Sequence, residues 1–89
     1  MVQPSVVRLD GDLTLDTVAA WLGRDLPEGS LAFDFSAVAR VDSSALALLL
    51  AWLRRAKAGG CAVELREMPP PLLALARLYG VDALLPLAA

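Results

Sequence analysis

The chain has 89 residues, 57% of them hydrophobic, and a formal charge of −2. That length supports one small core, so a single domain over 1–89 is expected, and the positive mean hydropathy points to apolar surface beyond that core and so to a partner. The charge offers no basic footprint for nucleic acid, and the absence of histidine removes most nucleophilic triads, the commonest zinc ligand and the usual near-neutral general base.

The amino terminus, MVQPSVVRLD, has neither a basic n-region nor a long apolar h-region, so no signal peptide is expected. In SVVRLDGDLTL, two short apolar runs flank Asp10-Gly11, which predicts a β-hairpin. LDTVAAWLGRDL reads as a helix capped by Asp16 or Thr17. Its Val18, Ala19, Leu22 and Leu26 share a face, Trp21 lies on its flank, and Pro27 and Gly29 end it. SLAFDFSAV then alternates Leu31, Phe33 and Phe35 against Ala32 and Asp34, as a strand covered mainly on one side does.

A helix from about Ser44 to Ala58 follows, stopped by Gly59-Gly60. Its apolar run, Ala45–Leu53, is nine residues, against the roughly 20 that a membrane helix needs. Leu46, Leu49, Leu50 and Leu53 form the expected core face. Ala45, Leu48 and Trp52 form a second stripe, which must meet a neighbouring helix or a partner. Trp52 and Trp21 are therefore either docking anchors or filling between helices. Arg54, Arg55 and Lys57 complement the helix dipole.

CAVELRE alternates again as a strand, with Cys61 a small buried apolar residue; one cysteine excludes an internal disulfide or a CxxC site. The prolines at 69–71 set a helix start, and Leu72, Leu75, Ala76 and Tyr79 line one face until Gly80. The final VDALLPLAA stays unassigned. The order predicts an α/β fold: a mixed β-sheet with an amino-terminal hairpin and helices packed mainly on one face.

Asp42, Ser43 and Ser44 are all competent caps for the central helix, and one suffices. The surplus hydroxyl stands at the end of a strand–helix loop, where a docking or regulatory group would be presented. A serine nucleophile lacks a base here, and Asp34 and Asp42 read as turn or cap residues.

GDLTLDT, LAFDFSAVARVDSSALALLLAWLRRAKAGG and CAVELRE together resemble the STAS domain family, the α/β modules of anti-sigma factor antagonists and related regulators. The likeness covers nearly the whole chain, and the Asp-Ser-Ser at 42–44 is its most specific part. Within the family, VDSSALALLLAWLRRAKAGG, LLALARLYGV and LLP resemble the MlaB-like STAS subunits of Mla phospholipid-transport ABC complexes. The resemblance implies a non-enzymatic cytoplasmic subunit without cofactor or metal. It would be bound to the complex's ATPase and peripheral to the inner membrane through the permease. Ser43 occupies the hydroxyl position that matters for the ATPase contact in such subunits. The candidate partner surface is then Asp42, Ser43, Ser44 and Ala45, with Leu48, Trp52 and Trp21. The alternative is an anti-sigma factor antagonist whose partner, an anti-sigma factor and serine kinase, phosphorylates Ser44. The glycine usual after that serine is Ala45 here, which favours helix by about 1 kcal/mol.

Overall fold

The amino-terminal segment runs as one strand. In the computed structural model, which describes residues 3–88, β1 (Ser5–Leu13) passes straight through Asp10-Gly11 and pairs in parallel with β2 (Leu31–Val41). The predicted hairpin, and with it the mixed sheet, is therefore corrected. Asp10-Gly11 serves as an irregularity within the strand: Gly11 has φ +68°, and the register shifts on either side of it. At each shift β2 carries an extra residue, as in a β-bulge. The gain is visible in the core, because Leu9 and Leu13 both face inward and are fully buried. A turn at Asp10-Gly11 would have needed a second strand from what is only a short run before the next helix.

β2 is the central strand. On its other side it pairs in parallel with the short β3 (Val63–Arg66), from Leu31↔Val63 to Asp34↔Arg66. The carboxy-terminal segment then covers the outer edge of β3. After a 3-10 turn at Asp82–Leu84, Leu87 bridges Leu65; the Leu65 amide donates to Pro86 O at 2.9 Å, and the Ala88 amide donates to Leu65 O at 2.8 Å. Cys61 lies in the turn before β3, half-buried rather than in the core, with its amide donating to Ala56 O.

The three helices are α1 (Val18–Leu22), α2 (Ser43–Ala58) and α3 (Pro70–Leu78), with α2 packed against both of the others. α1 is shorter than its sequence suggests: Gly23 ends it, not Pro27. Thr17 does not cap it with its side chain. Its hydroxyl donates to Asp12 O at 2.7 Å and accepts from the Thr14 amide at 3.0 Å, stitching the β1–α1 turn instead. α3 starts on its prolines as expected.

The core joins Leu9, Leu13, Leu31, Phe33, Phe35 and Leu65 from the sheet to Trp21, Leu46, Leu49, Trp52, Leu72 and Ala76 from the helices. The strand positions of opposite parity carry Arg8, Asp34 and Arg66 in one register row and Glu64 beside them. Arg66 Nε donates to Glu64 Oε2 at 2.6 Å on that polar face.

Candidate functional site

The site grows from the junction of β2 and α2. Asp42, in extended conformation, caps α2: Oδ1 accepts from the Ser44 amide at 2.8 Å. Oδ2 accepts from the Leu15 amide at 3.1 Å, so the same carboxylate ties the β1–α1 loop to the start of α2. Its own amide donates to Leu13 O. Neither serine is needed as the cap. Ser43 opens the helix as an exposed residue, and Ser44 is half-buried.

Burial pushes the Asp42 carboxyl upward, but the amides of Ser44 and Leu15 outweigh it and hold the group below its ordinary value. Asp12 and Asp34 are lowered as well, the first mainly by the Arg40 hydrogen bond at 2.8 Å and the second by the Ser36 amide at 2.9 Å. A depressed carboxylate stabilises the fold above its unfolded pKa, and that contribution fades as pH falls through the folded value. With no histidine in the chain, urea midpoints are expected to stay level through the histidine range and to drop below about pH 4. Asp42→Asn should lower the neutral-pH midpoint and flatten the acid slope. An unchanged slope would remove Asp42 from this role.

The second stripe of α2 is not an outward surface, which corrects the expectation for Ala45, Trp52 and Trp21 and leaves Leu48 reachable only from the groove beside α1. Ala45, Leu48, Trp52 and Trp21 are all buried. The cause is the position of α2 between two helices: a helix flanked on both sides must bury more than the stripe facing the sheet. Trp52 stacks on Phe33 with centroids 4.7 Å apart and planes 10° from parallel. It meets Trp21 edge-on at 6.4 Å and 84°. The Arg24 guanidinium lies 4.0 Å over the Trp21 ring. Both tryptophans therefore fill space between sheet and helices, while Leu50 and Leu53, expected in the core, are only half-buried.

The apolar surface lies elsewhere. Leu15 (75% exposed) and Leu22 (38%) stand on the α1 side of α2, and Leu78 (76%) and Tyr79 (58%) on the α3 side. Between them α2 presents Ser43 and Ala47. Two grooves result. One, between α1 and α2, holds about 380 Å3 and is lined by Leu15, Val18, Leu22, Ser44, Ala47 and Arg54, among others. The other, between α2 and α3, holds about 530 Å3 and is lined by Asp42, Ser43, Ala74, Leu75, Leu78 and Tyr79, among others. The structure thus brings Asp42, Ser43 and Ser44 together between the two grooves and withdraws Ala45, Trp52 and Trp21 into the core, while Leu48, largely buried, lines the α1–α2 groove. Periodicity misplaced Leu22 and Tyr79 because both sit at a helix end, beside Gly23 and Gly80, where the last residue turns outward.

The architecture is a parallel sheet covered by three helices on one face, with Asp-Ser-Ser starting the middle helix between two surface grooves. The match is to the family described as "Mlab, STAS domain", over residues 2–86. The chain belongs to that family. A comparison with curated proteins finds no match. Among the described residues no helix is long and apolar enough to cross a membrane.

Proposed function

We propose that this chain is the non-enzymatic assembly subunit of an Mla-type phospholipid-transport ABC complex, seated on the cytoplasmic ATPase through the outer surface of its three helices around Ser43. The observation that carries this reading is that four of the seven large exposed apolar side chains among the described residues line the two grooves beside Ser43 and Ser44, the other three being Val6, Leu84 and Leu87. Leu15 stands beside the Asp-Ser-Ser helix start with Leu22 further along the same groove, and Leu78 and Tyr79 flank the other side. Fully burying a Leu side chain is worth about 1.5–3 kcal/mol, so a domain of 89 residues that leaves several together at one functional loop forgoes stability a partner would recover. Membership of the Mlab family supports an ABC ATPase as that partner. Permease and membrane are then reached only through the ATPase.

Co-expression with the Mla-type ATPase of the same genome tests the reading. The two proteins are expected to co-elute as one complex in size-exclusion chromatography; separate elution at micromolar concentrations would overturn it.

The anti-sigma antagonist reading turns on Ser44. That hydroxyl is half-buried in the α1–α2 groove, whereas Ser43 is exposed. Incubation with ATP and an anti-sigma kinase is expected to leave Ser44 unmodified in mass spectra. Stoichiometric phosphate at Ser44 would shift the assignment to the switch.

A further inference from the structure

The charge around the α1–α2 groove is unevenly placed. Three guanidiniums stand toward its far end from Ser44: Arg54 of α2 lines the groove itself, and Arg24 and Arg55 line the neighbouring pocket, which also holds Asp25 and Glu28. Two of them are engaged. Arg24 stacks on Trp21, and Arg55 donates to Leu22 O at 3.0 Å, closing the carboxy-terminal end of α1. Arg54 lines the groove, is exposed, and makes neither a hydrogen bond nor an ion pair among the described residues. The opposite end of the groove is where Asp42 caps α2. The walls between the two ends are apolar, from Leu15 and Leu22 on one side to Ala47 on the other.

We propose that this groove receives an amphipathic helix of the ATPase whose apolar stripe lies between Leu15, Leu22 and Ala47 and whose carboxylate pairs with Arg54. The proposal rests on the ATPase reading above and specifies the chemistry of the contact. A trough between two helices accepts the side-chain ridge of a third, read as anchors three or four residues apart. From Ser44 to Arg54 the groove runs about 15 Å at the ~1.5 Å rise of a helix, so the stripe spans about three turns, and the acidic residue follows its last apolar anchor. A volume of about 380 Å3 takes the side chains of one such stripe. An unpaired cation at the end of an apolar trough selects against partners lacking an anion there, and its attraction weakens with salt.

The test measures binding of the purified cognate ATPase to the wild-type chain, to Arg54→Glu and to Arg8→Glu, at low and high salt. Arg8 lies on the opposite, polar face of the sheet. Arg54→Glu is expected to weaken binding more than about tenfold at low salt, with the gap narrowing in high salt. Replacing the partner's carboxylate with lysine should restore affinity for Arg54→Glu. Arg8→Glu should bind like the wild type, and circular dichroism should show both variants folded. If the wild type binds while Arg54→Glu binds equally well, or loses no more than Arg8→Glu, the groove assignment falls and the ATPase reading stands. If the wild type does not bind the ATPase, both fall. A concentration-dependent dimer in light scattering, abolished by Arg54→Glu, would give the groove to a second copy of this chain and overturn the proposal.

Discussion

Trp52→Ala should cost about 3–5 kcal/mol, the range for removing a buried aromatic ring, and leave the domain close to unfolding. Small domains hold only about 5–15 kcal/mol in total. Trp52 is 1% exposed. It spans the core, stacked on Phe33 from β2 and met edge-on by Trp21 from α1. Its loss opens a cavity where sheet, α1 and α2 meet, and a close-packed interior relaxes into such a space only in part. Trp52→Phe should behave differently. The indole Nε1 is buried without a hydrogen-bond partner, so the smaller ring also removes an unsatisfied donor, and the net cost should stay below about 2 kcal/mol. Urea unfolding followed by far-ultraviolet dichroism checks both variants. Comparable losses for alanine and phenylalanine would mean that the stack on Phe33 is not what holds the ring.

The same residue shows where sequence periodicity stops being informative. A helical repeat reports which side chains share a stripe, and Ala45, Leu48 and Trp52 do share one. It does not report how many neighbours the helix has. With α1 on one flank and α3 on the other, two stripes are covered, and a stripe read as a docking face becomes interhelix packing. The strand at β2, the extent of α2 and the proline start of α3 were legible because each depends on local chemistry: alternation, a glycine pair, a fixed φ; the cap was narrowed to Asp42, Ser43 or Ser44, and the structure selects Asp42. The hairpin was misread because Asp-Gly also suits an irregularity within a strand. What decided between turn and bulge was a long-range fact, the eleven-residue β2 offering a ladder to both halves of β1. Leu15 and Leu78 carry no periodic signal that marks them as exposed, and only the packed helices reveal them as rims around Ser43.

Ser43→Arg should abolish the complex with the ATPase, lowering affinity by about 100-fold or more, while the isolated domain keeps its fold. Both halves follow from the position of Ser43. It is exposed at the first turn of α2, and its side chain supplies no cap because Asp42 does. An arginine there faces the unfavourable end of the helix dipole, at about 0.3–1 kcal/mol, with Asp42 beside it as a counter-charge. The thermal midpoint should therefore move by only a few degrees. In a complex the same side chain would stand between the Leu15 and Leu78–Tyr79 rims, where closing the interface strips water from a guanidinium whose one neighbouring carboxylate, Asp42, is already committed to the Ser44 and Leu15 amides. Desolvating an unpaired charge costs several kcal/mol, and every 1.4 kcal/mol is about tenfold in affinity. Ser43→Ala separates two origins of the contact: a small loss means that Ser43 matters as a small residue between two apolar rims, and a loss as deep as arginine's means that its hydroxyl is itself bonded to the partner. Titration calorimetry with the purified ATPase reads both. Wild-type affinity in Ser43→Arg would place the interface on another face of the domain.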